Sequence, residues 1–286
     1  MPMTSTANAE DLHEAIYRDG IVALKGALPA RWADEMLADF DVLYDEAERW
    51  DQESGDGRGR GRVPRGPGED AKRYYMAVHP QRLRGFRELV THPGIDAVCR
   101  AVLGDDYQYV EIGFDVALPG AVRQPLHRDF PTPEETVGTR RLSSLAINAT
   151  CVDVTPEMGP LEIVPGTHVD DSADFEDGMR VPSQLYGRYA DRIEKRMAKR
   201  GDVSMRTGLT IHRGTENNSS RPRPVLILGV MGAQYKTFAE HHFTMTQDYY
   251  DSLPPEVKLH LRRATVSDTL DPIVQDYVLD FLLEEG

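Results

Sequence analysis

The sequence predicts a mainly β protein in which one antiparallel β-sandwich or barrel is flanked by helices. Apolar residues recur at helical spacing in the first third of the chain, short runs with strand character fill the middle, and helical spacing returns near the C-terminus. A β-sandwich or barrel of 286 residues is commonly one domain. We therefore expect a single domain over 1–286, with a helical N-terminal part at 10–104, a β core at 105–240 and a helical tail at 250–286.

Helices and one strand are expected in the N-terminal part. Residues 10–19 have helical spacing and end at Gly20, and the apolar run 21–24 after it has strand character. Pro29 suits the first turn of a longer helix, whose apolar stripe predicts packing against a sheet. A further helix is predicted over 91–104.

Between residues 51 and 70 the composition changes abruptly to Gly, Arg, Pro and Asp, which predicts a long loop. A loop without apolar anchors is commonly a solvated excursion, but long loops in compact domains also cover binding sites. Four arginines of this otherwise acidic protein could contact an anionic substrate from here; they are Arg58, Arg60, Arg62 and Arg65. Both interpretations remain open.

The middle of the chain is expected to supply the β core. Runs with strand character lie at 107–118, 121–130, 142–152, 161–164, 201–212 and 223–230. Residues 183–199 combine helical character with many charges, which predicts an exposed helical insertion. In the tail, helices are predicted around 255–263 and over 272–284.

Charge and terminal sequence narrow the classes of function. A formal net charge of −14 argues against broad attraction to nucleic-acid phosphates or anionic membranes. The N-terminus lacks the features of a secretory signal, and no apolar run reaches the length of a membrane span. We therefore expect a cytoplasmic protein without nucleic-acid or membrane partners, with Cys99 and Cys151 as buried thiols. The sequence predicts no oligomeric state.

The segment 124–130 holds an imidazole and a carboxylate two residues apart. Residues i and i+2 of an extended segment point to the same side, so His127 and Asp129 can converge on one metal ion while Arg128 points away. Alone, such a pair is more commonly just hydrogen-bonded. With His212 as a third ligand, the set matches the facial triad of non-haem Fe(II) oxygenases, which leaves positions open for co-substrate and oxygen.

Three motifs occur in a characteristic order: His127-Arg-Asp129, the segment 153–168 and the segment 212–223. Together they resemble the phytanoyl-CoA dioxygenase family of Fe(II)/2-oxoglutarate oxygenases, and the resemblance extends from about residue 12 to about residue 260. It implies a double-stranded β-helix, that is, a cupin-like jelly-roll core, whose open mouth holds Fe(II) on His127, Asp129 and His212.

The resemblance also implies 2-oxoglutarate and O2 as co-substrates. Family members hold the far carboxylate of 2-oxoglutarate with an arginine eleven residues after the distal histidine, which is Arg223 here. A guanidinium suits this role because it donates two parallel charge-assisted hydrogen bonds, although that argument alone does not choose between Arg221 and Arg223. Tyr109 and Asn148 are candidates for steadying the co-substrate, and His168 is interpreted as structural.

An enzyme of this kind is expected to oxidise an unactivated C–H bond of a small organic substrate, releasing succinate and CO2. Asp129 stands where related halogenases have a small residue, so the resemblance favours hydroxylation over halogenation. We expect a role in bacterial secondary metabolism. Substrate contacts are predicted on rim segments, at Arg73, Tyr74, Tyr75 and Arg128.

Two other classes of protein fit part of this pattern. A cupin-like isomerase or hydrolase that uses its metal as a Lewis acid would not need 2-oxoglutarate or Arg223. A non-catalytic jelly-roll binding protein would use His127 and Asp129 only as hydrogen-bonding groups, and intact ligands at all three positions argue against it.

Overall fold

Strands dominate the middle of the chain, and helices precede and follow them. The computed structural model describes residues 9–54, 61–65, 71–235 and 243–274. Its helices are Ala9–Asp19 (α1), Ala30–Ser54 (α2), Phe86–Val90 (α3), Pro93–Leu103 (α4), Glu134–Thr139 (α5), Gln247–Ser252 (α6) and Pro255–Lys258 (α7). Its strands are Ile21–Leu24 (β1), Val63–Pro64 (β2), Arg73–Ala77 (β3), Gln108–Ala117 (β4), Ser144–Thr150 (β5), Leu161–Ile163 (β6), Glu194–Arg196 (β7), Val203–Arg206 (β8), His212–Gly214 (β9), Arg223–Met231 (β10), Thr244–Thr246 (β11) and Thr265–Ser267 (β12).

Two antiparallel sheets form the β core. The large sheet has seven strands in the order β1-β8-β5-β10-β4-β3-β2, and the small sheet has three in the order β7-β6-β9. Neighbouring strands within both sheets run antiparallel, whereas the separate pair β11 and β12 is parallel. Strands far apart in sequence become neighbours, as in a jelly roll, in which the chain passes repeatedly between two sheets. The predicted mainly β fold with flanking helices is confirmed.

The two faces of the large sheet differ in polarity because successive side chains of a strand alternate between faces. One face packs against helices and contributes apolar side chains to the main core, among them Phe114, Ile147, Met205 and Leu226. The strand register groups charged and amide side chains on the opposite face, namely Arg73, Asp115, Asn148, Arg206 and Arg223. We call this the polar face, and it leaves a polar interior between the two sheets.

A bulge in β4 changes which of its residues lie on the polar face. Glu111 pairs with Gly229 of β10, but the next pair along is Tyr109 with Val230. The extra residue on β4 makes the side chains before it exchange faces. Tyr109 is therefore buried in the main core on the helix side of the sheet.

The predicted strand at 121–130 is wrong. This segment forms only isolated bridges, which join His127 to Arg180 and to His212. Pro125 has no amide hydrogen to donate, so a continuous ladder cannot form through it. The segment is nevertheless tied to the small sheet at the position that matters for the site.

The predicted helix at 183–199 is also wrong. The chain forms short 3-10 turns at Ser183–Arg188 and Ala190–Arg192, followed by strand β7. β7 is an edge strand that pairs with β6, and its residues Glu194, Lys195 and Arg196 suit an exposed sheet edge. The charges that suggested an exposed helix are thus accommodated at the edge of a sheet.

The predicted loop at 51–70 is shorter than expected, because α2 continues to Ser54 and Val63–Pro64 pair with β3. Residues 55–60 and 66–70 lie outside the described residues, as does most of the helix predicted over 272–284. The helix expected around 255–263 covers only the four residues of α7. No helix within the described ranges is long and apolar enough to cross a membrane.

Candidate metal centre

The small sheet and the segment beside it bring two histidines together. His212 begins β9, and His127 exchanges two backbone hydrogen bonds with it, each 3.0 Å between nitrogen and oxygen. The amide of Asp129 donates to the carbonyl of Gly208 at 2.8 Å, which anchors the third residue to the β8–β9 connection. Backbone hydrogen bonds therefore fix the main-chain positions of all three predicted metal ligands.

One potential ligand atom from each of His127, Asp129 and His212 lies within 4.8 Å of the other two. His212 Nε2 is 3.3 Å from Asp129 Oδ1. Two ligands at about 2.1 Å from one octahedral ion, about 90° apart, are about 3 Å from each other. The spacing of these atoms therefore fits coordination of a single ion.

Backbone carbonyls select the tautomer of both imidazoles. His127 Nδ1 lies 2.9 Å from the carbonyl oxygen of Pro125, and His212 Nδ1 lies 2.9 Å from that of Thr210. Only a protonated ring nitrogen can donate to a carbonyl, so each Nδ1 carries the hydrogen and each Nε2 keeps its lone pair. This is the arrangement that metal-ligating histidines use.

The electrostatic environment keeps His127 and Asp129 in the protonation states that binding of a cation requires. Burial, and to a smaller extent the neighbouring His212, lower the pKa of His127 to about 3, so the ring is neutral at physiological pH. Burial alone would raise the pKa of Asp129, but Arg206 and His212 hold it well below its usual range. Neutral imidazoles and a carboxylate are the forms that bind Fe(II).

Arg223 and Arg73 lie beside the same row of the polar face, since both pair with Ala117 in the strand register. Arg223 Nη2 donates to Asp115 Oδ2 at 3.3 Å, and Arg73 Nη1 is 3.9 Å from the same oxygen. Both arginine side chains are almost fully buried, and Arg221 is exposed. This part of the polar face thus holds two guanidinium groups, of Arg73 and Arg223, and one carboxylate, of Asp115.

These arginines retain unused hydrogen-bonding capacity. The Nε atoms of Arg73 and Arg223, and Nη1 of Arg73, have no hydrogen-bond partner in the described part of the chain. Burial lowers the pKa of Arg73 to about 10, against the opposing effect of Asp115, so the guanidinium stays charged at neutral pH. Unsatisfied buried donors around surplus positive charge are the features of an anion site.

The two candidates for steadying the co-substrate lie on different faces of the sheet. Asn148 is on the polar face, paired with Ile227 and Ser204, and its Oδ1 has no partner among the described residues. Tyr109 is on the helix side, where its hydroxyl is 3.4 Å from the carbonyl of Val90. The structure brings Asn148 to the polar interior and does not bring Tyr109 there.

The predicted substrate contacts also separate by face. Arg73 and Tyr75 are on the polar face, and the Arg65 guanidinium lies 5.1 Å from the Tyr75 ring. Tyr74 points to the other side and packs against the Arg62 guanidinium at 5.0 Å.

Arg128 is buried away from the metal ligands. Its guanidinium donates to the carbonyls of Thr167 and Asp170 at 2.7 and 2.9 Å, and to the hydroxyl of Thr132 at 2.9 Å. These bonds fasten a turn, as does the bond between His168 Nε2 and the carbonyl of Tyr17 at 3.2 Å.

Sequence analysis missed Arg206, which binds the candidate metal ligand Asp129. Its Nη1 is 2.5 Å from Asp129 Oδ2, and the Arg206 side chain is only 9% exposed. The signal was present in the alternation of β8, where buried Val203 and Met205 alternate with Ser204 and Arg206.

The fold and the donor set fit a class, the jelly-roll enzymes of the non-haem Fe(II)/2-oxoglutarate-dependent oxygenase type, and the comparison with known families shows it. The family described as Phytanoyl-CoA dioxygenase (PhyH) matches residues 16–225, well over half of the chain. The chain belongs to this family. Membership favours the oxygenase over the Lewis-acid isomerase or hydrolase and over the non-catalytic binding protein, and Fe(II) and 2-oxoglutarate are its cofactor and co-substrate.

Individual relatives are distant. Dioxygenase trt7 of Aspergillus terreus (strain NIH 2624 / FGSC A1156) is 24% identical over 280 residues, which cover 96% of this chain and 84% of that protein. The structure resembles SnoK, a non-haem α-ketoglutarate-dependent carbocyclase from nogalamycin biosynthesis, with a TM-score of 0.63 and 22% identity over 82% of this chain and 87% of that one. It also resembles the epimerase SnoN in complex with Fe3+, α-ketoglutarate and nogalamycin RO, with a TM-score of 0.61 and 22% identity over 95% of both chains. These likenesses show the fold.

Proposed function

We propose that this enzyme hydroxylates an unactivated C–H bond of a small organic substrate, with Fe(II) held by His127, Asp129 and His212. The observation that carries the proposal is that one ligand atom from each of these three residues lies within 4.8 Å of the other two, while both histidines use Nδ1 for backbone carbonyls and keep the lone pair of Nε2. Bound together, iron and 2-oxoglutarate supply the chemistry that activates O2 and breaks the C–H bond, with release of succinate and CO2. The protein contributes ligand geometry, water exclusion and substrate orientation.

In this proposal Arg223 binds the far carboxylate of 2-oxoglutarate. Its buried guanidinium has an unpartnered Nε and only a 3.3 Å bond to Asp115, so it has donors to spare for a second carboxylate. Arg73 adds positive potential from the neighbouring strand. Asn148, whose Oδ1 is unpartnered on the same face, contacts the bound co-substrate or its water.

Hydroxylation is our proposal for the outcome because Asp129 completes the triad and leaves no coordination position for a halide. We further propose that the substrate is a bacterial secondary metabolite, and the nogalamycin-pathway enzymes SnoK and SnoN support this choice. Tyr75 and Arg65 lie toward the polar interior and are the substrate contacts we favour.

An anaerobic visible absorption titration tests the proposal. Metal-free protein receives Fe(II) and then 2-oxoglutarate, and a charge-transfer band should appear only after both additions. In Arg223→Ala the 2-oxoglutarate concentration needed for half the band should rise at least about tenfold, because two charge-assisted hydrogen bonds are lost.

Arg221→Ala is the matched control, because Arg221 is two residues away but exposed. It should titrate like the wild type. If Fe(II) binds and no band forms, or if the two arginine variants are indistinguishable, the proposed site is wrong. Succinate release in a screen of small organic substrates then tests the reaction, and mass gain of one oxygen distinguishes hydroxylation from desaturation or epimerisation.

A further inference from the structure

We infer that Arg206 is a positioning residue for the metal-ligating carboxylate: it holds one oxygen of Asp129 and leaves the other for Fe(II). The inference rests on the proposed function, since it gives a role to a residue that contacts a proposed ligand. It concerns an interaction within this chain, between the end of β8 and the segment that carries the ligands.

The contact has the geometry of a fork. Arg206 Nη1 donates to Asp129 Oδ2 at 2.5 Å, and Nη2 lies 3.3 Å from Oδ1. Paired hydrogen bonds between a guanidinium and a carboxylate are charge-assisted and directional, so they restrict rotation of the carboxylate. Arg206 is nearly buried, and in the described part of the chain its Nε has no partner. Among the described residues, Asp129 is therefore the side-chain hydrogen-bond partner of this guanidinium.

The two oxygens of Asp129 have different neighbours. Oδ2 accepts the short 2.5 Å bond from Arg206 Nη1, whereas Oδ1 has only the longer 3.3 Å contact with Arg206 Nη2 and lies equally 3.3 Å from His212 Nε2. Oδ1 is thus the oxygen that Arg206 holds less tightly and the one beside the His212 imidazole. Arg206 therefore occupies Oδ2 with its short hydrogen bond and leaves Oδ1 available to the metal.

The connection after β8 reinforces this arrangement. The carbonyl of Gly208 accepts the amide of Asp129 at 2.8 Å, and a Cβ at position 208 would lie 2.4 Å from the Phe130 ring and 3.0 Å from Oδ2. Glycine at 208 therefore leaves room both for the Phe130 ring and for the carboxylate. Arg206, Gly208 and His212 follow one another along the chain, so a single segment supplies one ligand and orients another.

Such orientation has a functional consequence. A carboxylate with both oxygens free can chelate an ion, and the second oxygen would then occupy a position that the facial triad leaves open for co-substrate and oxygen. About a third of the Asp129 side chain is exposed, so packing alone does not prevent this rotation. The guanidinium of Arg206 prevents it by keeping Oδ2 engaged.

The first measurement is the affinity of metal-free protein for Mn(II) alone, followed by electron paramagnetic resonance. Arg206→Gln and Arg206→Lys should both bind Mn(II) about 10 to 100 times more weakly, because neither side chain can form the fork. Arg200→Gln is the matched control: Arg200 pairs with Asp34 at 2.9 Å, and both side chains are about half exposed or more. It should bind Mn(II) like the wild type.

The second measurement is the position of the anaerobic Fe(II)/2-oxoglutarate charge-transfer band at saturating Fe(II). Without the guanidinium, Asp129 donates more charge to the metal, so the band of Arg206→Gln should move to longer wavelength. Lysine keeps the positive charge, so the band of Arg206→Lys should stay close to that of the wild type. A general loss of stability could weaken Mn(II) binding in both variants, but it does not predict a band that moves in Arg206→Gln and stays in place in Arg206→Lys.

The outcomes separate this inference from the proposed function. If the wild type binds no Mn(II) and forms no band, the metal site itself is wrong. If the wild type behaves as proposed but Arg206→Gln and Arg206→Lys bind Mn(II) as tightly as Arg200→Gln or more tightly, the positioning role is overturned. Should Arg206→Gln fail to fold, the Mn(II) affinity of Arg206→Lys decides.

Discussion

Replacing Asp115 by Asn tests whether the polar interior holds an excess of positive charge that a carboxylate ligand neutralises. Asp115 Oδ2 is 3.3 Å from Arg223 Nη2 and 3.9 Å from Arg73 Nη1. Unit charges at these distances attract by about 5 and about 4 kcal/mol at an effective dielectric constant of about 20. Solvent reaches 30% of the Asp115 side chain, which reduces both values, and the carboxylate also pays for partial desolvation.

We therefore expect Asp115→Asn to lose about 2 kcal/mol of unfolding free energy, somewhat less than the about 3–5 kcal/mol typical of breaking a fully buried pair. For a chain of 286 residues that loss lowers the melting temperature by about 3 °C. In the wild type, Asp115 competes with the carboxylate of 2-oxoglutarate for Arg223. In Asp115→Asn that competition is gone, so bound 2-oxoglutarate should stabilise the variant more than the wild type.

Thermal melts at constant Mn(II), without and with saturating 2-oxoglutarate, measure both effects. The melting-temperature gap between variant and wild type should narrow when 2-oxoglutarate is added. Asp105→Asn is the control, because Asp105 pairs with Arg100 at 3.0 Å but is 88% exposed, so its loss should change little in either condition. An unchanged melting temperature for Asp115→Asn, or a gap that 2-oxoglutarate does not narrow, would refute the charge argument.

Two further predictions concern packing. Gly201→Ala should lower the free energy of unfolding, measured in urea, by about 3 kcal/mol or more, because φ is +82° and the added Cβ would overlap the carbonyl oxygen of Leu28. Gly26→Ala, with φ of +58° and no atom within 4 Å of the added Cβ, should lower it by only about 1 kcal/mol. Equal losses in the two variants would contradict the overlap at Gly201. Burial raises the pKa of Cys151 to about 12 and that of Cys99 still further, so at pH 8 both thiols should resist a thiol-specific reagent until denaturant is added; rapid labelling of native protein would count against their burial.

The sequence by itself determined the class of fold and predicted the residues of the candidate site. Periodicity located the large helices α1, α2 and α4 and the long strands β4 and β10, because each of these elements buries a regular apolar pattern. The spacing of His127 and Asp129, with His212 downstream, predicted a group that the structure brings within 4.8 Å. These are properties of residue type and local spacing, which a sequence displays directly.

Tertiary structure decided what depends on register and on contacts between distant segments. Residues 221 and 223 look alike in sequence, but only Arg223 is buried on β10 beside Asp115. A one-residue bulge places Tyr109 on the helix side of the sheet, and no local sequence pattern predicts this bulge.

The pairing of Arg206 with Asp129 joins residues 77 positions apart, and it exists because the end of β8 faces the segment that carries Asp129. Side-chain partners are set by how sheets pack, and packing is a property of the whole chain. The same reason explains why the partner of His127 in its isolated bridge, His212, is 85 residues away in the sequence.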